Sequence, residues 1–253
     1  MNQKNYLFIS GCGRSGTSAL TILLGSHPEI CLGMERYGHL VTPKSFCIDQ
    51  SYFKPDRFLD LKPGDTFYSD LLDFHKWCPN ISEKIVTASI VGDKRPEYFL
   101  VFDKLNEVFD SPKFIHIIRN YSDVAFSWEA RAKITKDWPE KKDAVRSITD
   151  WNLANEKALE AYRKGYPILV VDYDRIFSSD IESELDRILT FLDASWSGET
   201  RQVATSSIRA NAARLATERE QRIDSLQGRV DIDSIKKKAN TNNYERLLKL
   251  SSE

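Results

Sequence analysis

The sequence "LFISGCGRSGTSALTILLGSHPEI", residues 7–30, has the layout of a strand, a glycine-rich turn and a helix. We predict the strand at the apolar residues 6–9 and the helix over residues 16–26, where His27 and Pro28 end it. Residues 11–16 match the GxxxxG half of a nucleotide-binding loop, but Thr17 stands where the lysine of a nucleoside triphosphatase would be. That lysine neutralises the β and γ phosphates, so its absence favours a ligand with less terminal charge.

The turn has the groups needed to bind an anion of that kind. The backbone N–H groups of residues 13–17, the positive end of the following helix and the Arg14 guanidinium could together bind a diester-like or sulfated anion. Taken by itself, the same glycine pattern is also compatible with a plain structural turn.

The rest of the chain predicts an α/β fold with a parallel sheet, because buried apolar runs alternate with helix-length segments. Further strands are predicted at residues 114–118 and 168–171, with another at 30–32. Helices are predicted at residues 96–109, 122–132, 143–164 and 181–193. We expect a single domain over residues 1–253, with an irregular, proline-interrupted insertion at about 42–91 and a polar, partly helical tail at about 200–253.

Composition narrows the classes of function. The 253 residues include 36 Lys and Arg against 37 Asp and Glu, so the net charge of −1 gives no field that favours nucleic acid or an acidic membrane. The four cysteines have no CxxC spacing, which argues against structural zinc and predicts reduced thiols. No apolar run reaches spanning length, and we therefore expect a soluble, cytoplasmic protein of undetermined oligomeric state.

A second group of polar residues begins where the strand at residues 114–118 ends. Arg119 leaves the sheet there, at the edge where α/β proteins bind their ligands. Ser127 and Arg131 are four residues apart, so they share one face of the following helix. With Arg119 they can converge on a single phosphate, whereas the alternative for each arginine is an ordinary surface ion pair.

Together these segments resemble the sulfotransferases that use 3′-phosphoadenosine 5′-phosphosulfate (PAPS). "GCGRSGTSAL", residues 11–20, is similar to the 5′-phosphosulfate loop of that family, and "RNYSDVAFS", residues 119–127, is similar to its 3′-phosphate motif. "VVDYDRIFSSDIESELDRILTFL", residues 170–192, resembles the strand and helix that follow in that fold. The resemblance implies a P-loop-type three-layer sandwich with a central parallel sheet flanked by helices.

The same resemblance implies PAPS as the sulfuryl donor and adenosine 3′,5′-bisphosphate (PAP) as the product. Arg131 matches a family arginine twelve residues beyond the start of the 3′ motif, and Tyr173 matches a tyrosine near the nucleotide. The residues implied for donor binding are Gly13, Arg14, Ser15, Gly16, Thr17, Ser18, Arg119, Ser127, Arg131, Tyr173 and, in the tail, Ser207.

Within the family, the likeness is greatest to tyrosylprotein and related Golgi sulfotransferases, through "SHPEICLGMER", residues 26–36. Glu35 matches their catalytic carboxylate, and "GDKRPEYF", residues 92–99, puts Lys94 at the lysine that contacts the transferring group. We expect Glu35 to accept the proton of the acceptor hydroxyl or amine, while Lys94 and Arg14 stabilise the developing charge. Such a transfer requires no metal. The acceptor could be a carbohydrate, a lipid, a phenol or a peptide hydroxyl.

Other interpretations stay open on the sequence alone. A P-loop kinase that has lost its lysine would need a carboxylate for Mg²⁺, for which Asp172 is the candidate. A non-catalytic nucleotide-binding or scaffold protein would need neither Glu35 nor Lys94 in the site. Small-molecule sulfotransferases use a histidine base, so His39 or His75 could take the place of Glu35.

Overall fold

Five parallel strands form the central sheet, in the order β2-β3-β1-β4-β5. The computed structural model describes residues 4–65, 80–134, 143–177, 181–226, 228 and 230–252. The strands are β1 Asn5–Gly11, β2 Ile30–Met34, β3 Ile90–Lys94, β4 Lys113–Ile118 and β5 Ile168–Asp172. Their residues are almost all buried, as expected for a parallel sheet that is covered on both faces.

Helices lie on the two faces of this sheet. They are α1 Thr17–Gly25, α2 Pro55–Leu59, α3 Ile81–Thr87, α4 Phe102–Val108, α5 Tyr121–Ile134, α6 Ala144–Arg163, α7 Tyr173–Ile176, α8 Ile181–Leu192, α9 Glu199–Leu226, α10 Ile232–Lys238 and α11 Thr241–Leu250. Three 3₁₀ helices cover Gly38–Leu40, Gln50–Phe53 and Pro96–Leu100.

The alternation of β1 side chains separates two hydrophobic cores. Phe8 packs into the core that contains Trp151 of α6, whereas Leu7 and Ile9 pack into the core that contains Leu20 of α1. Successive strand residues point to opposite faces, so each face has its own helical layer. This arrangement confirms the predicted α/β sandwich with a central parallel sheet.

Strand register brings the carboxyl ends of the strands to one edge. Lys94, the last residue of β3, is opposite both Met34 of β2 and Ile9 of β1. On the other side of β1, Gly11 pairs with Ile117 of β4. The segments that follow β1, β2, β3 and β4 therefore start close together, at the edge where α/β folds bind ligands.

The predicted elements agree with the structure except in the middle of the chain. The strands expected at residues 6–9, 30–32, 114–118 and 168–171 are all present, but β3 was not predicted. The helix expected over residues 96–109 is two pieces, because the backbone of Val101 leaves the helical region between the 3₁₀ helix Pro96–Leu100 and α4. Between residues 42 and 91 the described chain holds short helical segments, and after residue 200 it holds α9, α10 and α11.

His116 is a buried polar residue of β4. Its Nδ1 lies 2.9 Å from Ser10 Oγ, and its Nε2 is buried without a hydrogen-bond partner among the described residues. Burial disfavours the imidazolium and lowers the pKa of His116 to about 3. An exposed histidine in the unfolded chain has a pKa of about 6.5. Between about pH 6.5 and pH 3, His116 is therefore protonated in the unfolded state and neutral in the folded state.

We expect this difference to make the protein less stable as the pH falls below about 6.5. The loss from His116 is at most about 1.4 kcal/mol of unfolding free energy per pH unit. Urea unfolding of the wild type and of His116→Gln, from pH 7 to pH 5, measures it. The variant should show the shallower pH dependence, and identical slopes would contradict the assignment of a buried, neutral His116.

Candidate active site

The glycine-rich loop joins β1 to α1 at the carboxyl edge of the sheet. Ser15 N donates to Cys12 O at 3.0 Å, and Gly16 caps α1 with a left-handed backbone, φ 96°. A Cβ at Gly16 would lie 2.6 Å from Cδ2 of Tyr173, so the close approach of that ring also requires glycine here. The loop and α7 are thus packed against each other where α1 begins.

Three more side chains close around this loop. Arg119 Nη1 donates to Arg14 O at 3.3 Å, and its guanidinium lies 3.8 Å from the centre of the Tyr173 ring. Arg14 Nε donates to Ser127 Oγ at 3.1 Å. Trp128 Nε1 donates to Gly13 O at 2.8 Å and fixes the loop against α5. The structure therefore brings the loop, Arg119, Ser127 and Tyr173 together.

Arg14, Arg119, Ser127 and Tyr173 face a cavity of about 260 Å³. Its lining residues are Arg14, Gly16, Thr17, Ser18, Ala19, Arg119, Ser127, Tyr173, Glu218 and Arg219. Ser15 Oγ, in the loop, and Arg119 Nε are buried without a hydrogen-bond partner among the described residues, and Arg119 Nε is 3.8 Å from the Asp123 carboxylate. A hydroxyl and a guanidinium N–H suit an anionic ligand, because buried donors are normally paired.

The wall formed by α9 was not predicted from the sequence. Arg219 Nε lies 2.6 Å from Asp123 Oδ1, and Asp123 Oδ2 is 3.8 Å from Arg119 Nε. Asp123 is buried and pairs with two arginines that line the cavity. The only sequence signal was the arginine-rich character of the tail, which does not single out Arg219.

Two residues implied by the resemblance lie away from the cavity. Arg131 is exposed on α5, one turn beyond Ser127 and farther from the sheet edge. Ser207 is exposed on α9, about three turns before Arg219. Neither belongs to the cavity lining, so a contact of either with the donor stays a prediction.

Next to the loop, Lys94 and Glu35 form an ion pair. Lys94 Nζ lies 2.8 Å from Glu35 Oε1 and donates to Ser18 Oγ at 3.1 Å. The Lys94 side chain is buried, whereas the Glu35 side chain is 22% exposed. Lys94 therefore connects a solvent-accessible carboxylate to the first turn of α1, which begins at the glycine-rich loop.

The sequence model of the sulfotransferase family matches residues 7–198. The chain belongs to the sulfotransferase family. The enzyme's reaction class is therefore sulfuryl transfer, and this sets the kinase and scaffold interpretations aside. Asp172, the kinase candidate, caps α7 by accepting from Asp174 N at 3.1 Å and is not among the cavity residues.

Solved sulfotransferase structures are similar to this chain. The sulfotransferase domain from the curacin biosynthetic pathway aligns with a TM-score of 0.51 at 17% identity, over 79% of this chain and 77% of that one. A Mycobacterium tuberculosis sulfotransferase aligns with a TM-score of 0.49 at 15% identity, over 89% of this chain and 78% of that one. A mouse sulfotransferase complexed with PAP aligns with a TM-score of 0.48 at 14% identity, over 83% of this chain and 63% of that one. The first shows a shared fold. No curated protein sequence matches the chain.

Of the two histidines considered as alternative bases, His39 is described by the structure and His75 is not. His39 of the sulfotransferase is in the 3₁₀ helix Gly38–Leu40, with 36% of its side chain exposed and its Nε2 3.7 Å from Asp65 Oδ1. No hydrogen bond joins it to Lys94 among the described residues. His75 lies outside the described residues.

Within the ranges that the structure describes, no helix of the enzyme combines the length and apolar character needed to cross a membrane. In the same ranges, no three His, Cys, Asp or Glu side chains are grouped as a metal site.

We expect Gly16→Ala to destabilise the sulfotransferase more than Gly165→Ala does. Both glycines have positive φ, 96° and 75°, but a Cβ at Gly165 meets no atom within 4 Å. The control therefore measures the backbone cost alone, about 1 to 2 kcal/mol, and Gly16→Ala adds the clash with Tyr173. Urea unfolding of both variants gives the comparison, and equal losses would mean that the Tyr173 ring moves aside freely.

Proposed function

We propose that this enzyme transfers a sulfuryl group from PAPS to an acceptor hydroxyl or amine and releases PAP. The observation that carries the proposal is the position of Lys94, whose Nζ touches Glu35 on one side and Ser18 on the other. A base for the acceptor and a cation for the donor are thereby held within one hydrogen-bonded unit. Transfer needs both groups at once, since proton removal and charge stabilisation act on the same reacting centre.

The donor site that we propose is the cavity at the glycine-rich loop. The loop residues Gly13, Arg14, Ser15, Gly16, Thr17 and Ser18 would hold the 5′-phosphosulfate through backbone N–H groups and hydroxyls. Arg119 and Ser127 would hold the 3′ phosphate, and Tyr173 lies beside the Arg119 guanidinium. We add Arg219 to this site because it lines the same cavity.

The proposed step is an in-line displacement. Glu35 accepts the proton of the acceptor O–H while the acceptor oxygen forms a bond to sulfur and the bond between sulfur and the 5′-phosphate oxygen breaks. Lys94 and Arg14 stabilise the sulfuryl oxygens and the negative charge that grows on the leaving oxygen. The 22% exposure of the Glu35 side chain leaves it accessible to an acceptor from solvent.

Glu35 is a better candidate for the base than His39 because it is bonded to Lys94, whereas His39 faces Asp65. The acceptor classes stay those of the sequence analysis: carbohydrate, lipid, phenol or peptide. The cytoplasmic location also stays a prediction from the sequence.

We expect PAP to raise the melting temperature without added metal and ATP with Mg²⁺ to raise it much less. Arg119→Ala should weaken PAP binding about 10- to 100-fold, because a buried phosphate loses a charge-assisted partner worth about 1 to 3 kcal/mol. Arg146→Ala is the control, since Arg146 and Asp150 have the same i,i+4 spacing as Arg119 and Asp123, but Arg146 is exposed whereas the Arg119–Asp123 pair is buried. Calorimetry with PAP measures both variants. Equal stabilisation by PAP and ATP, or unchanged affinity in Arg119→Ala, would contradict the donor site.

We expect Glu35→Gln to lower turnover about 100-fold or more and to leave PAP affinity near that of the wild type. Glutamine keeps the size and the hydrogen bonds of the side chain but removes its basicity. The measurement is single-turnover transfer of labelled sulfate, with an acceptor found by screening sugars, phenols and tyrosine peptides. Glu160→Gln is the control, because Glu160 pairs with Lys157 at 2.6 Å elsewhere on the surface. Wild-type rates in Glu35→Gln would exclude Glu35 as the base.

A further inference from the structure

The backbone of Glu35 has an uncommon conformation. Its φ is 59°, in the left-handed region that costs a residue with a side chain about 1 to 2 kcal/mol. Such a conformation persists only where the surrounding structure enforces it, and residues of this kind cluster at functional sites. The contacts that hold Glu35 therefore also determine where its carboxylate lies.

Two consecutive N–H groups hold this turn against the end of β3. Glu35 N donates to Lys94 O at 2.6 Å, and Arg36 N donates to Asp93 Oδ1 at 3.1 Å. The second bond is made by a side chain, so it depends on the identity of Asp93. The turn that carries Glu35 is thus fixed on both sides of its strained residue.

Asp93 is itself held tightly. Its other oxygen, Oδ2, accepts from Tyr98 OH at 2.5 Å, and both residues are fully buried. Gly33 lies opposite Asp93 in the sheet, and a Cβ there would come within 2.5 Å of Asp93 Oδ1. The Asp93 carboxylate fits in this position because residue 33 is glycine and has no Cβ.

The charge of Asp93 suits this role at neutral pH. Burial raises the pKa of Asp93 to about 6, against the hydrogen bonds from Tyr98 and Arg36 N and the charge of Lys94, which lower it. Above that value the group is a carboxylate, and a charged acceptor makes stronger hydrogen bonds than a neutral one.

We propose that Asp93 is a positioning residue for sulfuryl transfer, supported by Tyr98. It holds the Arg36 N–H, keeps Glu35 in its left-handed conformation and so keeps the Glu35 carboxylate against Lys94. Asp93 acts through the backbone, since the bond that it makes to this turn is to Arg36 N. This inference rests on the proposed function of Glu35 as the base.

A double-mutant cycle tests the inference. Asp93→Ala and Tyr98→Phe are made in the wild type and in Glu35→Gln, and single-turnover transfer and PAP affinity are measured for each. We expect Asp93→Ala to slow transfer about 10- to 100-fold in the wild type, because a misplacement near 1 Å can cost that much. Tyr98→Phe should cost less. Neither substitution should slow Glu35→Gln further, because the base that they position is already absent. Neither should change the affinity for PAP in either background.

Two more variants separate positioning from general stability. Asp93→Asn keeps an acceptor for Arg36 N and should recover part of the rate lost in Asp93→Ala. Glu184→Gln removes another buried carboxylate, one paired with Arg187 at 2.5 Å, and should lower stability without slowing transfer. If Asp93→Ala does not fold, Tyr98→Phe gives the same comparison.

The outcomes that would overturn the inference are distinct. If Glu35→Gln transfers sulfate slowly but Asp93→Ala or Tyr98→Phe does so at the wild-type rate, the positioning role is overturned and the proposed base is retained. Equal slowing of the wild type and Glu35→Gln would also overturn it, because Asp93 would then act on something other than the base. Wild-type rates in Glu35→Gln would overturn the proposed base and this inference together.

Discussion

The buried ammonium group of Lys94 is the constraint on which this site depends. An ammonium removed from water costs several kcal/mol unless it is paired, and here Glu35 and Ser18 are the partners. These three residues come from the segment after β2, the end of β3 and the start of α1. The three residues meet because β3 lies between β2 and β1 in the sheet. The proposed chemistry therefore depends on this strand order.

The cavity beside this ion pair is assembled from distant parts of the chain. Arg14 and Gly16 come from the loop after β1, Arg119 follows the end of β4, Ser127 is on α5 and Arg219 is on α9. The buried Asp123 carboxylate pairs with both Arg119 and Arg219, so it connects the α9 side of the cavity to the segment after β4. The tail after residue 200 is therefore a structural part of the site and more than a solvated extension.

The sequence could predict the features that depend on local signals. Four strands, the glycine loop and its helix follow from apolar runs and turn residues. The resemblance to PAPS-dependent sulfotransferases pointed to Glu35 and Lys94 as separate site residues, and their ion pair came from the structure. β3 was missed because Asp93 and Lys94 are two of its five residues, and charged residues argue against a buried strand until their partners are known. Arg219 and the Asp93–Tyr98 contact were missed for a different reason: no motif spacing encodes contacts between distant or irregular segments.

We propose that one edge of the sheet unites a PAPS site with the Glu35–Lys94 pair. A crystal structure of the complex with PAP tests it most directly. We expect the 3′ phosphate to contact Arg119 and Ser127 and the 5′ phosphate to lie on the N–H groups of residues 13–18, beside Lys94. A nucleotide bound elsewhere, or bound in reverse with its 3′ phosphate on the loop, would contradict the account.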